Sequence, residues 1–243
     1  MIQAFYNGVV GAQQQMLRMN VQANNMANIN TGGFKAQQTS FQTLLYRDVT
    51  GIDGAQLPKG SGTLVVATTV DYSHSSVEAT GRKQDYSILG DGFFALYEPA
   101  TQQVSLTRDG AFTVSQFLEM DENEEPITVY YLTDGEGRQV LGQDGYPIQV
   151  TDPEAEQPVG IFEVQYQSGL QHLDSSRFIT TEKSGAIYLS DSKALQGTLE
   201  ASNADMATEM SKVIEAQRTY SYALKMVTTA DEVETTINNL TNG

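Results

Sequence analysis

Side chains able to do chemistry are few and scattered in this chain. Its two histidines, His74 and His172, each lie in a polar stretch with no second histidine at metal-ligand spacing, which reads as surface or turn positions. A Ser-His-Asp triad needs no adjacency in sequence. No Gly-x-Ser-x-Gly elbow, phosphate loop or dinucleotide fingerprint supports one here. The carboxylates remain. Asp121, Glu122, Glu124 and Glu125 offer the hard oxygen ligands that Ca²⁺ prefers, but lack the alternating Asp layout and distal Glu of a calcium loop. Paired acids within 119–163, where Arg138 is the only base, would suit a glycosidase using one carboxyl as acid and another as base or nucleophile. With 30 acids in the chain, chance pairs are expected, and a solvated acidic face is the simpler reading. No catalytic, cofactor-binding or metal-ligating residue is assigned, and the chain is expected not to be an enzyme.

The balance of charge narrows the partners. A net charge of −16 argues against nonspecific nucleic-acid binding, which depends on Lys and Arg at phosphates. The 243 residues, 40% hydrophobic, are enough to bury a core. No apolar run approaches the length of a membrane span. The first residues lack the basic and apolar regions of a cleaved secretory signal, so any export is expected to leave the N-terminus intact. There are no cysteines, which removes disulfides and thiolate metal sites.

The elements that would position any site divide into helical ends and a β-rich middle, an α+β chain. Ile2, Phe5, Val9, Ala12, Met16, Met19, Ala23 and Met26 recur at 3-4 spacing, the stripe of a coiled-coil seam. The run stops at Asn28-Ile29-Asn30-Thr31-Gly32-Gly33, where Asn and Gly tolerate left-handed conformations. Arg18 is the only charge before Lys35, and Tyr6, Val10, Leu17 and Val21 lie off the stripe. A helix so poor in charge is expected to be buried on more than one face, and one partner from the same chain covers only one. Ser202 with Asp205 reads as a capping box for a second long helix. Its stripe runs Met206, Met210, Val213, Gln217, Tyr220, Leu224 and Val227, then shifts register to Ala230, Val233, Ile237 and Leu240. The two helices are expected to pair in a coiled-coil-like stalk, as a terminal helical domain of 1–45 with 200–243.

Between them, short β-branched and aromatic runs alternate with turn dipeptides. Runs at 63–70, 85–89, 93–97, 104–107, 127–132, 161–166 and 186–189 read as strands. Asp91-Gly92, Asp109-Gly110, Asp134-Gly135 and Asp144-Gly145 read as turns. This predicts a central antiparallel β domain over 71–199. The Gly-rich stretch within 46–70 reads as a linker or extended segment.

Several motifs, in order along nearly the whole chain, resemble those of the flagellar basal-body rod and hook protein family. Ala23-Asn24-Asn25-Met26-Ala27-Asn28-Ile29-Asn30-Thr31-Gly32-Gly33-Phe34-Lys35 resembles the N-terminal signature ANNLANxNTxGFK. Gly90-Asp91-Gly92-Phe93-Phe94 resembles GDGFF, and Thr107-Arg108-Asp109-Gly110-Ala111-Phe112 resembles TRDGxF. Asp144-Gly145-Tyr146-Pro147 matches a DGYP segment. Near the C-terminus, Ser202-Asn203-Ala204-Asp205, Glu209-Met210 and Glu215-Ala216-Gln217-Arg218-Thr219-Tyr220 resemble SNVD, EM and ETQRxY. Length and the short segment after Asp48 are similar to distal or proximal rod members and unlike the longer hook protein. The acidic residues 121–125 are unusual between the TRDGxF and DGYP matches.

The resemblance implies a structural subunit of the basal body, located in the cell envelope and exported by the flagellar type III apparatus. Its partners would be further copies of itself in a helical homopolymer, other rod and hook subunits, and the export apparatus, with no cofactor, nucleic acid or membrane span. Terminal helices would form an inner tube and the β domain an outer layer. The stripe residues Ile2, Phe5, Val9, Ala12, Met16, Met19, Ala23, Met26, Met206, Met210, Val213, Tyr220, Leu224, Val227, Ile237 and Leu240 are the candidate subunit interface. Two other readings remain at this point: a secreted glycan-acting enzyme using acidic pairs, and a soluble adaptor held by a terminal coiled coil.

Overall fold

The computed structural model describes residues 2–43, 47–50, 56–59, 63–120, 126–174 and 176–241. The acidic residues 121–125 and Gly51, Gly54, Gly60 and Gly62 of the expected linker lie outside them. Among the described residues are two long α-helices flanking a set of antiparallel strands, an α+β arrangement. They group into two compact units: residues 1–27, 37–71 and 205–243 in one, residues 28–36 and 72–204 in the other.

The first unit is built on α1 (Ile2–Ala27) and α2 (Met206–Thr241), which pack against each other. The α1 face turned to α2 is small and polar. A Cβ on Gly8 would meet Val227 Cγ2 at 2.8 Å, so glycine sets how closely the backbones approach. Further along, Arg18 donates to Glu215 at 2.9 Å and Asn25 to Glu209 at 3.2 Å. This face lies roughly 100° around the helix from the apolar stripe, at 3.6 residues per turn. The centre of the α1 stripe is therefore offset from this contact, while Val227 of the α2 stripe takes part in it.

A ribbon of β1 (Gln37–Thr43) and β4 (Thr63–Val70) lies on α1, where the Val65 amide donates to the buried Gln14 side chain at 2.8 Å and Arg18 sits over the Phe41 ring. Within the stretch expected as linker, β2 (Arg47–Thr50) pairs antiparallel with β3 (Gln56–Lys59). β1 has no apolar alternation in its sequence. Its pairing with β4 makes it a strand.

α2 begins three residues later than the expected capping box. Asp205 is the cap: its Oδ2 accepts from the Thr208 amide at 2.8 Å and from the Thr208 hydroxyl. These bonds hold the Asp205 carboxyl below the usual carboxylate range. Ser202 instead closes a local turn, its hydroxyl accepting from the Ala204 amide. The helix runs unbroken through the register shift after Val227.

Among its described residues, the second unit holds a nine-stranded antiparallel sheet with two short ladders. β5 (Val77–Ala79) and β6 (Tyr86–Leu89) pair respectively with β17 (Thr198–Glu200) and β16 (Lys193–Gln196). In the sheet, β7 (Phe93–Glu98) is central, between β8 (Gln103–Thr107) on one edge and both β11 (Gln139–Val140) and β12 (Ile161–Val164) on the other. β13 (Gln171–His172) and β14 (Arg177–Ile179) extend it beyond β8, and β15 (Ile187–Leu189) follows β12. β10 (Pro126–Thr133) and β9 (Thr113–Met120) extend it beyond β11.

Alternation along β7 explains its adjacent phenylalanines. Phe94 and Leu96 enter the main core with Tyr86, Ile88, Phe112, Leu132 and Val140. Phe93 points to the other face, edge-to-face with Tyr72 and Phe178. The Asp-Gly turns are held by side-chain oxygens: Asp109 accepts from the Ala111 amide, Asp134 from Glu136 and Arg138, and Asp144 from Tyr146.

Phe94 is fully buried and stacks edge-on against Phe112 at 5.2 Å. Phe94→Ala is expected to cost about 3–5 kcal/mol through lost transfer energy and a residual cavity. Urea unfolding followed by tyrosine fluorescence measures it, and a loss below about 1 kcal/mol would place the core elsewhere.

Candidate functional site and assembly surfaces

Three signature segments far apart in sequence meet in the second unit. Residues 28–36 enter it as a turn in which the Thr31 amide donates to the Asn28 carbonyl at 3.1 Å. Gly33 has φ 63°, and a Cβ there would lie 2.3 Å from the Arg108 backbone. Its amide donates to the Glu200 carbonyl at 2.8 Å. Phe34 is fully buried with Ala36 and Ala204, against Ile29. The Asn203 side chain accepts from the Ala36 amide at 2.6 Å, so the SNAD segment is stitched to the strand leaving this turn.

At the centre is a buried group of charges. Glu200, only 2% exposed, accepts from Lys35 Nζ at 2.7 Å, from the Ser75 amide at 3.1 Å and from Arg108 at 3.2 Å. Lys35 also donates to the Ser73 carbonyl, and Arg108 to the Gly90 carbonyl while lying over the Phe93 ring. Burial pushes the Glu200 carboxyl up, but the Lys35 hydrogen bond and charge, the Ser75 amide and Arg108 outweigh it and hold it below its ordinary value. Arg108 falls inside a motif legible in the sequence. Glu200 was not singled out, being one of 30 acids with no local signal.

The remaining signature positions have local jobs. Gly90 and Gly92 take φ of 120° and 125°, and a Cβ on Gly92 would press on Ile161 at 2.6 Å. The Asp91 carbonyl accepts from the Ser192 hydroxyl at 2.7 Å, while its carboxylate faces His74 at 3.3 Å. In the first unit the Asn25 side chain imitates a strand partner: it accepts from the Gln37 amide at 2.9 Å and donates to the Gln37 carbonyl at 2.8 Å. Glu209, also buried, receives Asn25 and Lys212. Asn24, Asn30, Gln217 and Arg218 are exposed, and Asn28, Thr31 and Tyr220 half-buried.

The candidate interface stripe is largely uncovered. Phe5, Met16, Ala23, Met206, Met210, Leu224, Ile237 and Leu240 are exposed, and Val9, Met19, Met26, Val213, Tyr220 and Val227 half-buried. Ala12 is buried, and the Ile2 side chain lies outside those described. Tyr6, Leu17, Ile214 and Met226 add further exposed apolar surface.

Several described acids of 119–163 have structural partners. Asp134 and Glu136 pair with Arg138, Glu154 with Lys83, and Asp152 accepts from the Glu154 amide. A cavity of about 560 Å³ between Gln143 and Ala194 carries the carboxylates Glu156 and Asp191 and no histidine. His172 lies edge-on against Phe178, and burial lowers its pKa while Asp174 raises it. Among the described residues no three His, Asp or Glu side chains converge as a metal site, and no helix is long and apolar enough to cross a membrane.

The chain matches two family models: "Flagella basal body rod protein" over residues 5–35 and "Flagellar basal body rod FlgEFG protein C-terminal" over residues 195–240. It is 30% identical to the flagellar basal-body rod protein FlgG of Buchnera aphidicola subsp. Baizongia pistaciae, covering 96% of this chain and 97% of the relative. It is 26% identical to the rod protein FlgG of Bacillus subtilis, over 99% of both chains. The flagellar hook protein FlgE of Borreliella burgdorferi is 32% identical over 58% of this chain and 34% of its own length.

The two matched segments contain the two partners Lys35 and Glu200. Glu200→Gln leaves both buried cations without their anion and is expected to cost about 3–5 kcal/mol. A folded-state pKa below the unfolded value of 4.5 means this stabilisation is present above pH 4.5 and lost as pH falls through the lowered value. Denaturation curves across pH 3–7 should therefore show a steeper acid loss in the wild type than in Glu200→Gln. Parallel acid profiles would show that the carboxylate does not titrate in this way.

Proposed function

Because the chain belongs to the flagellar basal-body rod and hook family, we propose that its two long helices self-assemble with those of neighbouring copies into a helical rod. The protein is a structural subunit of the basal-body rod and resides in the flagellar basal body. Its assembly partners are rod and hook subunits. The finer reading is a homopolymer whose helices pair in coiled-coil-like contacts lining an inner tube, with the β unit outside. Export proceeds through the flagellar type III apparatus with the N-terminus intact. The role is mechanical and not enzymatic.

One observation carries the assembly reading. α2 has 36 residues and a length of about 54 Å at about 1.5 Å per residue, yet only Glu209 and Ala216 are fully buried on it. Many of its apolar side chains, Met206, Met210, Leu224, Ile237 and Leu240 among them, are left to other surfaces, as are Phe5 and Met16 of the α1 stripe. Each such residue buried on association contributes roughly 1.5–3 kcal/mol. A heterologous contact that does not close on itself extends into an open helix, the geometry of a rod.

Met210 and Leu224, 49% and 42% exposed, provide the test. Changing both to Glu should leave monomer stability within about 1 kcal/mol, as for exposed positions. Polymers seen by sedimentation and electron microscopy of the wild type should be absent. Wild-type protein that forms a closed small oligomer at every concentration would instead support an adaptor held by its helices.

A further inference from the structure

The helical unit carries an acidic recess and a basic face, and its own chain brings the two nowhere near each other. Near the start of α1, Phe5 and Tyr6 set their rings edge-to-face, with centroids 6.0 Å apart. Together with Asp231, Glu234, Thr235 and Asn238 of α2 they line an open recess of about 430 Å³. Phe5 and Tyr6 are 39% and 61% exposed. Asp231 and Glu234 are exposed as well, and among the described residues neither has an ion-pair partner. Two carboxylates beside two accessible rings suit a cationic side chain, which the acids pair with and a ring face attracts.

The basic face lies further back on α2. Of its bases Lys212, Arg218 and Lys225, only Lys212 is ion-paired among the described residues. Arg218 and Lys225 are both exposed and lie about two turns apart on one face. The covered side of α2 is marked by Ala216, which is fully buried, and by Ala223, which faces Gly11 of α1. Arg218 and Lys225 each follow one of these alanines by two residues, about 200° around the helix, and so point away from α1. α1 itself has no acid to offer them. Within one chain the rise from Arg218 to Asp231 and Glu234 is about 20–24 Å, far beyond ion-pair reach.

We propose that Arg218 of one copy seats in the Phe5–Tyr6–Asp231–Glu234 recess of a second copy. Its planar fork can pair with a carboxylate and stack on a ring at once, which the Lys225 ammonium cannot. This rests on the rod reading and deepens it by naming a contact that sets the register between subunits. The recess and the base lie on different faces, so the contact is heterologous. Between parallel copies it imposes an axial offset of about 20–24 Å. A repeat that advances along its axis cannot close into a ring and extends as an open helix.

Charge reversal on the full-length protein, read by sedimentation over a range of concentrations, tests the contact. Arg218→Glu alone, and separately Asp231→Lys with Glu234→Lys, should each raise the concentration needed for polymers about tenfold or more. Lys193→Glu, the same change of charge at an exposed base of the β unit, should leave it unchanged. The two defective variants mixed in equal amounts should polymerise together, because each supplies the charge that the other's contact lacks. Urea midpoints equal to the wild type's check that the variants fold, and Arg218→Gln removes the charge without reversing it should a reversed variant fail to fold. Normal polymerisation of Arg218→Glu or Arg218→Gln, or variants that fail alone and fail again when mixed, would overturn this contact and leave the rod reading standing. Wild-type protein that forms no open polymer would overturn both.

Discussion

A single buried carboxylate needs more than one partner, and Glu200 sets what the β unit must bring together. Taking the carboxylate out of water costs several kcal/mol unless charge and hydrogen bonds replace the lost hydration. Lys35, Arg108 and the Ser75 amide provide that replacement. None of them is near Glu200 in sequence, so the ion group forms only when the turn after α1, the strand-turn around β8 and the segment before α2 are all in place. Removing any one leaves uncompensated buried charge. The glycines serve the same end. Gly33 must approach the Arg108 backbone more closely than a side chain allows, and Gly110 must approach the Tyr86 carbonyl, which a Cβ would meet at 1.7 Å.

Features with local causes were legible in the sequence. The end of α1, the extent of α2 and strands such as β7 and β10 follow from periodicity and from Asp-Gly turns whose side chains bond their own backbone. Features with distant causes were not. β1 is polar and becomes a strand through β4, and Asp205 outcompetes Ser202 as cap because Ser202 is engaged in the turn that fixes Asn203 against Ala36. The signature residues were visible as a pattern, but their work was not. Nothing in the string Asn24-Asn25 says that Asn25 bonds both polar groups of Gln37 while Asn24 is exposed.

The apolar stripe of α1 shows a more general limit. Periodicity reports which face wants burial, without saying what buries it. Within one chain the contact with α2 is made by Gly8, Arg18 and Asn25, residues that a search for apolar spacing passes over. Small residues permit close approach, and charged hydrogen bonds fix register with little apolar area. The helical pair is thus ordered internally while consuming little of its large apolar surface, so side chains such as Met16, Met210 and Leu224 stay available on the proposed assembly.

The distribution of charge makes that arrangement workable. Like-charged subunits repel, and at physiological salt the repulsion acts over a Debye length of about 8 Å. A net −16 spread evenly would oppose stacking at every contact. It is not spread evenly. The helical unit holds nine acids against six bases, a net of −3, leaving −13 on the β unit. On the proposed assembly the helices that must touch are close to neutral, and the repulsive part is the part placed outside. In that proposed assembly short-range apolar attraction acts where charge is low, and the more acidic unit disfavours lateral aggregation between rods.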